Sequence, residues 1–141
     1  MHIENSIFIK GEIDKAFEIM ADIESWHKIF PHIYKKKVKI LKKEGNKLFF
    51  EKEGIIKFKS TFVADYENKV IRAEHFEGLT RGLVAMWRFE EAKEGIKMIA
   101  FHKLDYKIPL FGITIEFITA YILKKITKKT LRLIKERVEA G

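Results

Sequence analysis

The sequence predicts an α+β domain in which a curved antiparallel sheet of seven strands wraps around a long C-terminal helix. Apolar and polar residues alternate over residues 2–10, as they do in a strand with one buried face. Strand-like segments then follow one another from residue 34 to residue 108, and turn signals that contain Gly or Asn separate them. Residues 113–139 contain neither Pro nor Gly and are expected to form the helix. The whole chain, residues 1–141, is therefore expected to form one domain.

Two helical segments are predicted between the first strand and the second. Asp14 is interpreted as the N-cap of the first helix, because apolar residues recur at helical spacing after it. A second, short helical turn is expected over residues 26–30, where Pro31 ends it. Either Asp22 or Ser25 can cap this turn.

Six further strands are expected, with short connections between them. Their predicted bounds are 34–43, 47–53, 56–66, 69–76, 82–91 and 96–108. Such short connections leave no room for crossover helices, so the strands are expected to pair as antiparallel hairpins. The final helix is apolar nearly all round in its first half and basic and amphipathic in its second half. The first half therefore needs a broad apolar partner, which a curved sheet supplies.

Alternation along the strands assigns one set of side chains to the face that meets the helix. The inward set is Phe58, Ser60, Phe62 and Ala64 on one strand, Ile71, Ala73 and His75 on the next, and Leu83, Ala85, Trp87 and Phe89 on the one after. Small residues among large rings leave room for a ligand cavity, and a plain packed core is the alternative. The facing of His102 stays open, because Ile99 and Phe101 point to a bulge in its strand.

Composition and missing motifs exclude several classes of protein. The chain has no cysteine, so disulfides and thiolate metal sites are excluded. It contains no Gly-rich phosphate loop, no nucleophile elbow and no His pair at helical spacing, and we expect neither a cofactor nor a metal site. No signal peptide and no apolar stretch of membrane-spanning length is visible, so a cytoplasmic location is expected.

The charge pattern has two explanations. The chain carries 28 basic and 20 acidic residues, and this abundance of Lys and Glu without Cys is typical of thermophile surfaces. A basic row on one face of the second strand is predicted to contain Lys35, Lys37, Lys39 and Lys43. Such a row can meet the phosphates of an anionic membrane or of RNA. It also protects a sheet edge from aggregation, an explanation that needs no partner.

Three segments resemble a known family. They are residues 21–26 with Phe30-Pro31, then Glu77-Gly78 with Leu83 and Trp87-Arg88-Phe89, and finally residues 101–104 with Tyr106 and residues 109–112. In this order of elements they resemble the START-like (SRPBCC) superfamily, whose fold is the helix-grip fold, and most of all its polyketide cyclase/dehydrase and coenzyme Q-binding branch. The resemblance implies an apolar cavity between sheet and helix for a lipid, quinone, steroid or polyketide. Some members are catalysts and a few bacterial ones act on ribosomes, so the resemblance predicts the fold more narrowly than the function.

The candidate site residues follow from the inward faces and from this resemblance. The predicted ligand-binding residues are Phe58, Phe62, His75, Leu83, Trp87, Phe89, Ile118 and Ile122. Arg81, in a turn after the strand that carries His75, is the candidate for anchoring a head group at the cavity mouth. A neutral imidazole in an apolar cavity can bond to a ligand carbonyl or act as a general base. His75 and Tyr106 are therefore the catalytic candidates, although two convergent polar groups are needed for an enzyme and the sequence indicates only one.

The leading hypothesis is a carrier or chaperone for a hydrophobic small molecule, such as a lipid, an isoprenoid quinone or a polyketide-like compound. The first alternative is a polyketide cyclase or dehydratase. The second alternative is a ribosome- or RNA-associated protein that uses the basic face. Transient contact with an anionic membrane surface is compatible with the first hypothesis. The sequence does not predict an oligomeric state.

Overall fold

The computed structural model describes the backbone of residues 2–104 and 112–141, and it describes their side chains except those of residues 112–119. The strands are β1 His2–Ile9, β2 Lys39–Glu44, β3 Lys47–Lys52, β4 Phe58–Asp65, β5 Val70–Gly78, β6 Val84–Ala92 and β7 Gly95–Lys103. The helices are α1 Ile13–Ala21, α2 Trp26–Ile29 and α3 Gly112–Glu139, and a 3-10 turn, Ile23–Ser25, precedes α2. At about 1.5 Å per residue, α3 is about 42 Å long.

The seven strands form one antiparallel sheet in the order β1-β7-β6-β5-β4-β3-β2. The first strand therefore pairs with the last, so that Ile3 lies opposite His102 and Ile9 opposite Ile96. The remaining strands follow one another as hairpins, and β2 forms the other edge. The second half of α3 packs on the sheet and on α1, and its side chains Leu131, Ile134 and Val138 are buried. The predicted α+β fold, a curved seven-stranded sheet with a long C-terminal helix, is confirmed.

The second strand is shorter than predicted. It begins at Lys39 and not at residue 34, because the chain that leaves α2 turns first and Tyr34 N–H donates to Phe30 O at 2.9 Å. A register shift against β3 between Ile40 and Lys42 then interrupts the alternation. The predicted row of four lysines on one strand face is therefore wrong, since Lys35 and Lys37 precede the strand.

The N-cap of α1 also differs from the prediction. The cap position is Glu12, and Asp14 lies inside the first turn of the helix. Its carboxylate is 3.0 Å from Lys69 Nζ in the turn between β4 and β5. A negative charge in the first turn also interacts favourably with the helix dipole. The short helical turn at Trp26 is confirmed. Ser25 Oγ donates to the carboxylate of Asp22 at 2.7 Å just before it.

The inward faces are confirmed by burial. On β4, β5 and β6 the predicted inward residues are buried, and their neighbours along each strand are less buried or exposed. Strand β7 pairs with both neighbours without a register shift, so the suspected bulge is absent from it. Its inward residues lie opposite those of β6: Met98 opposite Phe89, Ala100 opposite Trp87 and His102 opposite Ala85. His102 therefore shares the concave face of the sheet with His75.

Aromatic rings connect α2 to the middle of the sheet. The centroid of the Trp26 ring is 5.4–5.6 Å from the centroids of four others, those of Phe30, Tyr34, Phe62 and Trp87, all at steep angles. Edge-to-face contacts of this kind add to the free energy of burial. Trp26 Nε1 donates to Met20 O at 3.0 Å, so the indole is also fixed to the end of α1. The chain contains 12 phenylalanines, of which Phe30 and Phe62 belong to this cluster and Phe50 lies beside it, 6.4 Å from Phe62.

The connection from the end of β5 toward β6 offers a matched test of close packing. It is called the loop 78–82 here and includes Gly78, the last residue of β5. Gly78 and Gly82 both have positive φ, +106° and +95°. A Cβ at Gly78 would collide with Lys57 O and lie 2.8 Å from Phe58 Cα, whereas a Cβ at Gly82 would meet open space. We expect Gly78→Ala to lower the free energy of unfolding at least about twice as much as Gly82→Ala, which only places an L-residue at positive φ, at a cost of about 1 kcal/mol. Urea titration measures both, and equal losses would contradict the close approach of this loop to β4.

Candidate functional site

The concave face of the sheet has two halves that differ in what covers them. In the lower half, toward the hairpin turns 66–69 and 93–94, helices cover the strands: the Phe89 ring lies 5.5 Å from Phe17 on α1, and the Trp87 ring 5.5 Å from Trp26 on α2. The upper half lies toward the loops 53–57 and 78–82. On the described side chains the lower half is packed core up to Trp87, whose position between Ala85 and Phe89 on β6 puts it at the border of the two halves. The upper half, with this border, is therefore the candidate site.

Buried polar side chains collect on the upper half. They are Lys52 on β3, Ser60 on β4, His75 on β5 and His102 on β7. Ser60 lies opposite His75 across the β4–β5 pair, while Ala73 and Ala85 face each other across β5 and β6 between the two histidines. The floor of this region is therefore made of small side chains, and its borders are rings and polar groups.

His75 links the sheet to the loop 78–82. Its Nδ1 lies 2.7 Å from Thr80 Oγ1, and its ring stacks on Phe58 with the centroids 3.8 Å apart and the planes 14° from parallel. Backbone bonds hold the same loop, since Gly82 N–H donates to His75 O and His75 N–H to Leu83 O, both at 2.9 Å. Burial lowers the pKa of His75 to about 4, and the nearby charges of His102 and Lys52 act in the same direction. His75 is therefore neutral at pH 7.

His102 and Trp87 each carry a buried polar atom without a hydrogen-bond partner. Both side chains are only 7% exposed, and their rings are perpendicular with the centroids 6.0 Å apart. Among the described residues, neither Nδ1 of His102 nor Nε1 of Trp87 has a partner. Burial lowers the pKa of His102 to about 4, so it too is neutral at pH 7. An unpaired buried polar atom destabilises a protein by about 1–3 kcal/mol, so two such atoms on neighbouring rings require an explanation.

Lys52 is buried on the same face, next to β4. Its Nζ donates to Ile56 O at 2.7 Å and Glu53 O at 3.4 Å, and it lies 5.8 Å from the ring centroid of Phe58. Burial lowers the pKa of Lys52. The side chain thus closes the loop 53–57 onto the end of β3. Lys52 is not among the site residues predicted from the sequence, although its position two residues after the inward-facing Phe50 is a signal for burial.

The structure brings most of the predicted ligand-binding residues together. Six of them are buried on the concave face: Phe58, Phe62, His75, Leu83, Trp87 and Phe89. Ile122 is half exposed on α3, and the side chains of Ile118 and Tyr106 lie outside the described residues. Arg81 is exposed in the loop 78–82, at the upper end where a cavity mouth was predicted.

Other parts of the described surface have fewer features of a ligand-binding site. Two open grooves of about 270 Å³ each lie where α1 and α2 approach the last turns of α3. Their walls carry the charged side chains Lys15, Glu18, Asp22, Lys28, Glu136 and Arg137, and no strand residue contributes to them. Within the described ranges, no group of three His, Asp or Glu residues is placed to hold a metal ion. The same ranges contain no helix that is both long and apolar enough to cross a bilayer.

The two buried histidines predict a pH dependence of stability. In the unfolded chain a histidine has a pKa near 6.5, whereas in the folded protein the pKa of His75 and of His102 is about 4. Below pH 6.5 the unfolded state therefore binds protons that the folded state does not bind. Stability is complete above about pH 6.5, and each histidine removes up to about 1.4 kcal/mol per pH unit as the pH falls toward 4.

Urea titrations between pH 7.5 and pH 5 test this dependence. His102→Phe should make the dependence on pH clearly shallower, and His75→Asn should do so while it keeps an amide near Thr80. Replacement of the exposed His2 by Asn is the matched control and should leave the slope unchanged. If both buried-site variants keep the slope of the unaltered protein, the two imidazoles are not held neutral by burial.

Comparison with known proteins places this geometry in a family. The model of the family "Polyketide cyclase / dehydrase and lipid transport" matches residues 9–129. A Streptomyces halstedii protein described as a candidate polyketide cyclase is 29% identical over 105 residues, which cover 69% of this chain and 94% of that protein.

Two solved structures share the fold. A Thermus thermophilus protein superimposes with a TM-score of 0.83 at 16% identity, covering 99% of this chain and 98% of its own. The Zhui aromatase/cyclase of a Streptomyces species gives a TM-score of 0.77 at 16% identity, covering 99% and 93%. Because the family model spans all seven strands except most of β1, and the first part of α3, the chain belongs to the polyketide cyclase/dehydrase and lipid transport family, the branch of the START-like superfamily that its sequence resembles.

Proposed function

We propose that the protein binds an uncharged hydrophobic small molecule on the upper half of the concave face, as its carrier or chaperone. The observation that supports this most directly is the pair of unpartnered polar atoms, Trp87 Nε1 and His102 Nδ1, on side chains more than nine-tenths buried. They lie beside the small side chains Ala73 and Ala85, where a ligand would find room. The proposed ligand classes are lipids, isoprenoid quinones and polyketide-like compounds.

The chemistry of the two groups narrows the ligand. An indole N–H can only donate a hydrogen bond, so the ligand must offer an acceptor such as a carbonyl or hydroxyl oxygen. Neutral His102 can donate from one ring nitrogen and accept at the other. A charged ligand group is disfavoured, because the surrounding rings cannot compensate for its lost hydration. A ligand with a ketone, quinone or phenol oxygen on a largely apolar skeleton therefore fits the site.

The affinity would come mainly from apolar burial. Rings such as Phe58 and Phe62, together with Leu83, would form the apolar walls of the site. Each Å² of apolar surface that binding removes from water contributes about 25 cal/mol to the binding free energy. The polar pair would then fix the orientation of the ligand. Entry requires movement at the upper end, where the loop 78–82 is held by the Thr80 contact to His75 and by backbone bonds between His75 and both Gly82 and Leu83. Arg81 on the same loop remains the candidate for contacting a polar head group.

Native mass spectrometry followed by solvent extraction tests the proposal on protein purified from its own host or from a quinone-producing one. A stoichiometric lipid, quinone or polyketide should be retained in the native spectrum and identified in the extract. Protein that arrives empty and also takes up no hydrophobic fluorescent probe would overturn the proposal, and the aromatic set would then be ordinary core.

Variants separate ligand retention from stability. Trp87→Phe keeps an aromatic ring and removes the unpaired N–H, so we expect ligand affinity to fall by about tenfold while the free energy of unfolding changes by less than about 1 kcal/mol. Ile134→Val is the matched control, since Ile134 is fully buried on α3 among core residues. It should lower stability by about 1 kcal/mol and leave affinity unchanged. Loss of affinity in strict proportion to stability in both variants would contradict a specific role for the indole.

A cyclase or dehydratase is the second candidate function, and the presence of two neutral histidines on one face favours it. A neutral imidazole can remove a proton next to a ketone and return it elsewhere, and two such groups on one face supply the convergent pair that an enzyme needs. The names of the Streptomyces halstedii relative and of the Zhui structure describe this activity for those proteins.

Exchange in heavy water distinguishes the enzyme from the carrier. A carrier leaves the acidic C–H groups of a bound 1,3-diketone probe exchanging at their solution rate. An enzyme of this class should accelerate the exchange, and His102→Phe or His75→Asn should abolish the acceleration while the probe still binds. Unaccelerated exchange with a saturated site would eliminate the enzyme as a candidate.

A further inference from the structure

We infer that the upper end of the sheet is a docking surface for an anionic lipid membrane. Ile55, Ile56 and Leu79 would enter the interface, and the basic segment, defined as Lys35, Lys36, Lys37 and Lys39, would meet the lipid phosphates. This inference goes beyond the proposed function, because it requires no bound ligand and concerns a different surface.

Three large apolar side chains project into solvent at this end. Ile55 is fully exposed at the tip of the loop 53–57, Leu79 is 65% exposed at the start of the loop 78–82, and Ile56 is exposed beside Ile55. The two loops touch, since Gly78 packs against Lys57 and Phe58. The three apolar side chains therefore stand on two adjacent loops at the same end of the sheet, and together they are called the projection.

The projection is built into the fold. Lys52 Nζ bonds to Ile56 O and Glu53 O on either side of the tip, and the backbone at Gly54 adopts a φ of +119°. Bonds from His75 to the loop 78–82 hold the second part. Exposure of Ile55 is thus a consequence of ordered hydrogen bonding.

Positive charge lies directly beside this projection. All four lysines of the basic segment are exposed. Their position is fixed at both ends, because the Tyr34 ring lies 5.9 Å from Lys52 Nζ and Lys39 pairs with Glu51 at the end of β3. The acidic contact within the segment is weak: Lys37 Nζ is 3.9 Å from Glu24, and both side chains are largely exposed.

This combination favours a lipid surface over a protein partner. Apolar side chains that penetrate the acyl boundary, with lysines at head-group level, are the two components of interfacial binding, and each lysine near an anionic surface contributes about 1 kcal/mol. A stable protein interface needs about 800 Å² on each partner, which a three-residue projection does not provide. A second copy of this chain would bring two lysine segments together, and their repulsion would oppose pairing.

Vesicle binding by fluorescence tests the inference on the ligand-free protein. Ile55→Trp places a reporter at the tip, and Tyr66→Trp places a matched reporter on an exposed residue in the turn between β4 and β5, at the other end of the sheet. Phosphatidylcholine vesicles that contain phosphatidylglycerol should shift the Ile55→Trp emission to the blue, and lipids brominated in the acyl chain should quench it. The Tyr66→Trp emission should not respond.

Sedimentation with the same vesicles measures the contributions of charge and apolar insertion. Lys35→Glu with Lys36→Glu should lower the partition coefficient at least about tenfold, and Ile55→Ser about tenfold. The control pair Lys93→Glu and Lys97→Glu changes the net charge equally at the opposite end of the sheet and should change partitioning much less.

Equal losses in the two lysine pairs would overturn the inference, because net charge alone would then explain binding. Absence of vesicle binding would overturn it as well. So would a dimer in sedimentation equilibrium that Ile55→Ser dissociates, since the projection would then belong to a contact between two copies. Because every readout uses empty protein, these results are independent of whether the protein is found to bind a ligand.

Discussion

The contacts of the Trp26 indole determine which part of the concave face of the sheet is covered by α2. Its ring meets four aromatic rings, and its N–H is bonded to the carbonyl at the end of α1. Because the indole cannot move without breaking these contacts, α2 is locked over the lower half of the concave face. The upper half has small side chains on its floor and lies outside the reach of these contacts. The position of the Trp26 indole therefore separates the packed core from the candidate site.

The polar groups of the upper half have their properties because of where the strands place them. Lys52, His75 and His102 face inward only because the alternation of β3, β5 and β7 continues through them. Burial then disfavours their charged forms. It also strengthens any hydrogen bond that a ligand makes with their unused donors and acceptors in place of water. His75 and Lys52 use part of that capacity to hold the two upper loops. The same groups therefore shape the site and the surface around it.

Much of this architecture could be predicted from the sequence. The period-2 pattern of β4, β5 and β6 and the turn signals between them gave the correct inward faces, because burial on one face enforces strict alternation. The predictions were wrong where the same residues are compatible with two different local structures. Asp14 satisfied the expected cap chemistry yet pairs with Lys69, and residues 34–38 look like a strand although the turn after α2 keeps them out of the sheet.

The candidate site was only partly predictable, for a physical reason. Hydrophobic residues such as Phe62 and Trp87 were assigned correctly to the inner face, but sequence does not tell whether a ring packs against a helix or borders empty space. A lysine at an inward position reads as an exception to the pattern, so Lys52 was not identified. The facing of His102 required the register of β7 against β6, which is a long-range property.

The pairing of β1 with β7 has a consequence for how the chain folds. Residues at the start of the sequence find their hydrogen-bonding partners about a hundred positions later, as His2 does with Lys103. On a ribosome, the first strand must therefore wait, unpaired, until almost the whole sheet has been synthesised. Lys135 Nζ donates to Phe8 O and Lys10 N–H donates to Glu139, so the end of α3 also closes on the end of β1. Such long loop closures are slow, and the unpaired β1 is the place where misfolding and self-association would begin.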